Sequence, residues 1–510
     1  MDIKIYIDNI QTKWDTILKL PKLTFDQINN INDDIIKIYL YCFYGYNEIK
    51  KYNQELLKKC NNLYLLAAYR EHIDIMNYLE EKGFNINIKN NNGDNAYLLA
   101  ICKGHINVMQ YLEKKGIDIN IINNNGYNAY LFCACIGHIN IMQYLEEKGI
   151  DINIKNNDGN NAYLLAVCKG HINIMQYLEE KGFDINIKNN YGTNAYLLAS
   201  SYGYINIMEY LEEKGININI INNGGENAYL LAAYYGHINI IQYLEEKGCV
   251  INIKNNNECN AYLLAVYKGH INIMQYLEKK GIDINIKNNI GDNAFLLAAR
   301  YGHINIIQYL EEKGIDINIK NNNGNNAYLL ATYDGHINIM QYLEKKGINI
   351  NIINNNGNNA FLLAVNYNQI NVIKYLEKKG IDINVIKKNG NNAYLSAAYY
   401  GYINIMQYLE KKGININIIN NNGDNAYLLA ACSGHIDIMQ YLEEKGININ
   451  IINNNGDNAY LLAASNKHIK IMDYLINKNN SVKPNNGMIT NFILNIFGNF
   501  TFQYKKLKSE

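Results

Sequence analysis

Residues 92–116 read NGDNAYLLAICKGHINVMQYLEKKG, and the order of signals in that stretch decides the fold. Asn95 stands where a helix begins, its side-chain oxygen able to accept the free amides that follow. In AYLLAICK, Tyr97 and Ala100 share one face, with Leu98 and Leu99 in neighbouring positions. Gly104 and His105 stop that helix and open a second, INVMQYLEKK. There Ile106, Met109, Tyr111 and Leu112 form the apolar side, while Asn107, Gln110, Glu113 and Lys114 read as the solvated one. Lys115 suits the negative end of this helix, and Gly116 supplies the left-handed residue that ends it. The IDINI that follows alternates too briefly for a strand of its own, and Asn123-Asn124-Asn125-Gly126 turns the chain into the next copy.

The copies keep strict time. The glycine of the first word, Gly93, returns 33 residues apart at Gly126, Gly159, Gly192 and Gly225, then from Gly291 through Gly324, Gly357, Gly390 and Gly423 to Gly456. Glu258 falls in phase where a glycine is due, and a strained or locally remodelled turn is expected there. Cys60 opens a first, less regular copy. The count is thirteen units between Cys60 and about Met488. Two short helices and a hairpin cannot bury their own apolar surface, so each unit must lend a face to the next. The expected fold is an all-α repeat solenoid, about thirteen helix-turn-helix-hairpin units stacked in a curved array.

Composition narrows the function. The chain has 510 residues, too many for one compact core, and Lys plus Arg equal Asp plus Glu at 47 each. No basic stripe marks a nucleic-acid binder, and Lys505, Lys506 and Lys508 read as a solvated end. No apolar run is long enough for a membrane span. Nine cysteines without repeat spacing, Cys133 and Cys135 among them, argue for reduced thiols and an intracellular setting. The short asparagine clusters, phased with glycine, read as folded turns.

These residues resemble ankyrin repeats. The family word G-x-T-P-L-H-x-A maps onto Gly93-Asp94-Asn95-Ala96-Tyr97-Leu98-Leu99-Ala100, closed by Gly104-His105, and returns in full as GDNAYLLAACSGH from Gly423 to His435. Asn replaces the family's Thr, Ala its Pro, Tyr or Phe its Leu, and Leu its His. The resemblance implies an L-shaped unit and a role in protein–protein binding. The asparagine- and isoleucine-rich wording is also similar to the ankyrin families of giant amoeba viruses, which implies host-cell cytoplasm and allows virion association.

All ten histidines share one repeat position, His105 and His138 for example, with Tyr204, Gln369 and Tyr402 in three of the other slots. Neighbours about one helix diameter apart, on the order of 10 Å, cannot share a zinc ion. They read as hydrogen-bonding architecture. No catalytic, metal or cofactor set is expected, and the Glu-Glu-Lys and Glu-Lys-Lys triplets read as solvated faces.

Binding must therefore come from positions that vary while the frame stays fixed. The two residues before each helix junction are such positions. Early copies carry Cys102-Lys103, Cys135-Ile136 and Cys168-Lys169; the middle ones carry tyrosine. The candidate partner-binding groove is Tyr202, Tyr234, Tyr235, Tyr267, Lys268, Arg300, Tyr301, Tyr333, Asp334, Tyr367, Tyr399 and Tyr400, since Tyr and Arg are typical anchors. Hairpin-tip residues such as Tyr127, Tyr191 and Glu226 extend it. The expectation is a monomeric, non-catalytic scaffold or effector with a protein partner, no nucleic acid and no membrane. A structural or virion-associated spacer is one alternative; an adaptor recruiting host ubiquitin machinery through the N-terminal segment is another.

At the ends, residues 1–59 read as an N-terminal helical cap or degenerate repeats, with helical spacing in Trp14–Leu20 and Asp33–Phe43. Residues 60–488 read as the repeats, and 489–510 as a C-terminal cap and basic tail. Met488 to Tyr504 is expected to fold over the last repeat.

Overall fold

The computed structural model describes residues 23–60 and 62–478. The expected helix over Trp14–Leu20 and the cap over 488–504 lie outside them. Among the described residues there are 29 α-helices and no strand. Two compact units divide the chain, one ending at Lys280 and the other beginning at Gly281.

The first unit holds seven helix pairs, from Leu63–Tyr69 with Ile73–Glu81 to Ala261–Lys268 with Ile271–Lys279. The second holds six, from Ala294–Tyr301 with Ile304–Glu312 to Ala459–Ser465 with Ile469–Lys478. Within each unit consecutive pairs stack, first helix on first helix. This is the all-α repeat solenoid, with thirteen repeats.

Local chemistry builds each repeat. The Asn95 side chain accepts the Leu98 amide at 3.0 Å, and the same cap opens every later first helix. Ala96, Tyr97, Leu98 and Ala100 are fully buried, as are Val108, Met109 and Leu112 of the second helix. The junction needs glycine twice over. Gly104 has φ +74°, and a Cβ there would meet the His138 ring of the next repeat at 3.3 Å. The second helix closes with Ile117 N–H on the Leu112 carbonyl at 3.1 Å, bracketing Gly116.

The asparagines form a ladder through the hairpin turns. Asn123 Oδ1 accepts the amides of Asn125 and Tyr127, which folds its own turn. Asn124 then ties that turn to the preceding one: its N–H donates to the Asn92 carbonyl at 2.9 Å, and its Nδ2 to the Asn91 carbonyl at 3.0 Å. Asn123 Nδ2 adds a bond to Asp94 Oδ1 at 2.8 Å. The seam between these two hairpins is thus closed by side-chain bonds as well as by a backbone one.

Glu258 does not remodel its turn. It takes φ +60°, while Asn255 N–H still reaches the Cys259 carbonyl at 3.0 Å and Glu258 N–H the Asn255 carbonyl at 2.8 Å. The ladder bond of Asn256 to the Gly224 carbonyl, 2.9 Å, holds the turn in shape. The left-handed strain is tolerated rather than relieved.

Before the first full pair, Asp34–Tyr44 ends at Gly45, φ +76°, and a 3-10 helix over Asn47–Lys51 follows. Arg70 Nε and His72 Nε2 both reach the Phe43 carbonyl, at 3.1 and 3.2 Å, so this segment packs on the first repeat through the same junction bond that joins later ones.

Candidate partner-binding rows

The two residues that end each first helix stand at the mouth of the helix junction, where the chain turns and backbone leaves little room to bury them. In the first unit Tyr202 and Tyr235 are each 50% exposed, Lys268 is exposed, and Tyr234 and Tyr267 are half-buried. Tyr234 stacks on Tyr267 at 5.8 Å and meets Tyr235 edge-on at 4.9 Å. The Lys268 ammonium lies 4.6 Å from the Tyr234 ring centre and 5.7 Å from that of Tyr267. Its hydrogen bond to Tyr234 raises its pKa. Tyr202 is separate from this group and stacks on Tyr204 of its own junction at 6.3 Å. Burial, then the neighbouring Cys168, pushes the Tyr202 hydroxyl up to about 12, so it stays protonated.

In the second unit the Arg300 guanidinium sits between Tyr301 and Tyr333, 5.6 and 5.7 Å from their centres. Tyr333 in turn meets Tyr367 at 4.2 Å. Tyr399, Tyr400 and Tyr402 make a further group, with contacts of 5.1 and 6.0 Å. Tyr367, Tyr399 and Tyr400 remain 47, 43 and 41% exposed. Asp334 is exposed at the end of its helix and joins none of these stacks. The rows are therefore preorganised: rings hold one another and the cations, and each tyrosine keeps an open edge.

The row also extends earlier than the tyrosine run. Lys103 lies over Tyr69 at 4.8 Å and Arg70 over Phe43 at 4.0 Å. Both occupy the same two-residue register, which was the signal that could have found them.

The histidines behave as architecture. His105 Nε2 is 3.0 Å from the Tyr69 carbonyl of the preceding repeat, His237 is 2.9 Å from Ser201, and His336 is 3.0 Å from Arg300. A carbonyl can only accept, so that ring nitrogen carries the proton. Gln369 fills the slot with Nε2 donating to the Tyr333 carbonyl at 2.8 Å. Each bond anchors the end of a row-bearing helix. Among the described residues no group of three His, Cys, Asp or Glu could hold a metal ion.

The first glutamate of each Glu-Glu-Lys or Glu-Lys-Lys triplet is not a solvated residue, contrary to the reading of Glu113. Glu113 accepts from Tyr97 of its own repeat at 2.8 Å and from Tyr144 of the next at 2.6 Å, with Lys148 at 3.7 Å. Burial raises the pKa of its counterpart Glu146, but hydrogen bonds from Lys181, Tyr177 and Tyr130 outweigh it and hold the carboxyl below the ordinary range. The recurrence of Tyr and Glu sixteen residues apart was the missed signal.

The model of ankyrin repeats (three copies) matches the chain in overlapping windows that run from 28–123 and 63–156 to 346–420 and 395–486. No curated protein matches it. Capped first helix, glycine junction, second helix and hairpin recur through the matched residues, and the chain belongs to the ankyrin-repeat family.

Proposed function

We propose that this chain is a non-catalytic scaffold that holds a partner protein against its tyrosine rows. Ankyrin repeats are generally protein–protein interaction modules. The observation that carries the reading is a row in each unit: Tyr202 and Tyr235 in the first, and Tyr367, Tyr399 and Tyr400 in the second, stay 41 to 50% exposed in a repeating register, with Lys268 and Arg300 lodged among the rings of their own units. Large rigid rings with polar tips bind protein surfaces at low entropic cost. Nine free thiols support a reducing, intracellular setting, and the resemblance in wording to giant-virus ankyrin families supports a host cytoplasm. The segment before Cys60 is proposed as a cap, since Asp34–Tyr44 covers the first repeat.

The test is affinity capture from the native cell context with the intact chain beside a Tyr235→Ser, Tyr301→Ser, Tyr399→Ser variant, each checked for helical circular dichroism. A partner kept by the intact chain and lost by the folded variant supports the proposal. Identical partner lists would overturn the rows as the binding surface, and the absence of any saturable partner would favour a spacer.

A further inference from the structure

In the second unit the hairpin ladder is complete at four seams and absent at one. Asn322, Asn355, Asn421 and Asn454 each donate a backbone N–H to the preceding turn, at 2.8 to 3.1 Å. Their side-chain amides donate again to that turn, at 2.8 to 3.3 Å. The asparagines just before them, Asn321, Asn354, Asn420 and Asn453, add a side-chain bond across the same seams at 2.8 to 3.0 Å. At the seam between the turns of 354–357 and 387–390 the chain has Lys387 and Lys388 instead.

None of the three bonds survives there. The lysine amide makes no bond to the Asn356 carbonyl, and neither lysine side chain replaces the amides. Asn358 Oδ1, which Asn at 387 would have met, is buried without a partner. A Cβ placed on Gly357 would stand 3.7 Å from the Lys388 nitrogen, against 2.5 to 3.1 Å for the equivalent pairs at Gly291, Gly324, Gly390 and Gly423. Geometry and chemistry agree that the turns have drawn apart.

On the helix side Glu377 keeps its bonds to Tyr408 and Lys412 of the next repeat, but the junction bond is stretched. Tyr402 occupies the histidine slot and reaches the Asn366 carbonyl at 3.5 Å, the limit of a hydrogen bond, while Asn366 Oδ1 is buried and unpartnered. Repeat stability is a sum of unit and interface contributions, so one depleted interface sets where an array parts.

We infer that the second unit opens at the seam between residues 348–378 and 381–411, as a hinge placed inside the tyrosine row. Tyr333 and Tyr367 lie before it, Tyr399 and Tyr400 after it. Parting there separates the two ring groups and leaves the three repeats that follow as a block that unfolds before the rest of the unit. The inference stands whether or not the row binds a partner.

Hydrogen exchange read by mass spectrometry on the full chain, in urea below the unfolding transition, tests it. Amides of Ala393–Tyr400 are expected to exchange about tenfold or more faster than those of Ala360–Asn366, whereas Ala327–Tyr333 and Ala360–Asn366 match. The double variant Lys387→Asn, Lys388→Asn is expected to abolish the step. Equal protection across the seam, a larger step at another seam, or a step unchanged in the double variant would each overturn the hinge.

Discussion

The hydroxyl of Tyr144 donates to Glu113 Oε2 at 2.6 Å while Tyr97 donates to Oε1 of the same carboxylate, so one side chain joins two repeats. The chain contains its own control for this bond. Where the first-helix residue is tyrosine the glutamate side chain is 11 to 16% exposed; at Glu311 and Glu377, paired with Phe295 and Phe361, it is 27 and 29%. Removing the hydroxyl lets the carboxylate swing outward.

Phe295→Tyr should therefore stabilise the second unit by about 1 kcal/mol, and Tyr97→Phe should destabilise the first by about 1–2 kcal/mol, because a bond to a charged group is lost. Urea unfolding followed by circular dichroism reads both. A stabilising Tyr97→Phe would show that the glutamate contributes nothing there.

The same bonds set the pH range. Glu80, Glu146, Glu245, Glu344, Glu410 and Glu443 are raised by burial but brought below the ordinary 4.5 by their tyrosine and lysine donors. Their contribution is fully present above that value and is lost as pH falls through the lowered ones. Burial, then the glutamate bond, raises Tyr64, Tyr97, Tyr130 and Tyr163 well above the ordinary 10.0, so theirs is full below that pH and lost as pH rises. Thermal melting across pH should give a plateau bounded by both limits. A midpoint that climbs between pH 9 and 11 would contradict the assignment.

Glu258→Gly should stabilise the first unit by roughly 1 kcal/mol, since the turn already holds φ +60° and glycine adopts it without strain. The exposed pair with Lys254, 3.5 Å, offsets little of this. A lower melting temperature would mean that the glutamate makes a contact worth more than the strain.

Leu99→Ala, at a buried position of the first helix, should cost roughly 2–5 kcal/mol through the cavity it leaves. An unchanged unfolding midpoint would place Leu99 outside the core.

Much of this was legible in one repeat. Asn95, Gly104 and Gly116 act through bonds within a few residues, so their order in the chain declared the helices directly. The bonds between repeats were harder to see. Glu113 faces Tyr144, which is 31 residues away, and nothing local distinguishes it from the solvated Lys114 beside it. Ile106, expected on the apolar side, is 38% exposed because it opens its helix, whereas Val108 is buried against the stack. The asparagine excess was read as turn chemistry, which holds for Asn123; that Asn124 ties one turn to the next required the spacing of two hairpins in space. The tyrosine row was readable as a register, but its grouping into separate ring clusters depends on side-chain rotamers.

Two populations of tyrosine underlie the functional proposal: buried ones bonded to the repeat glutamates, and exposed or half-buried ones at the helix junctions. Urea unfolding of Tyr235→Ser, Tyr301→Ser, Tyr399→Ser beside Tyr97→Phe, Tyr130→Phe, Tyr163→Phe separates them without any partner in hand. We expect the first variant to keep the midpoint of the intact chain and the second to lose about 1–2 kcal/mol per site. A row variant that unfolds as early as the staple variant would place those tyrosines in the fold and contradict their assignment to binding.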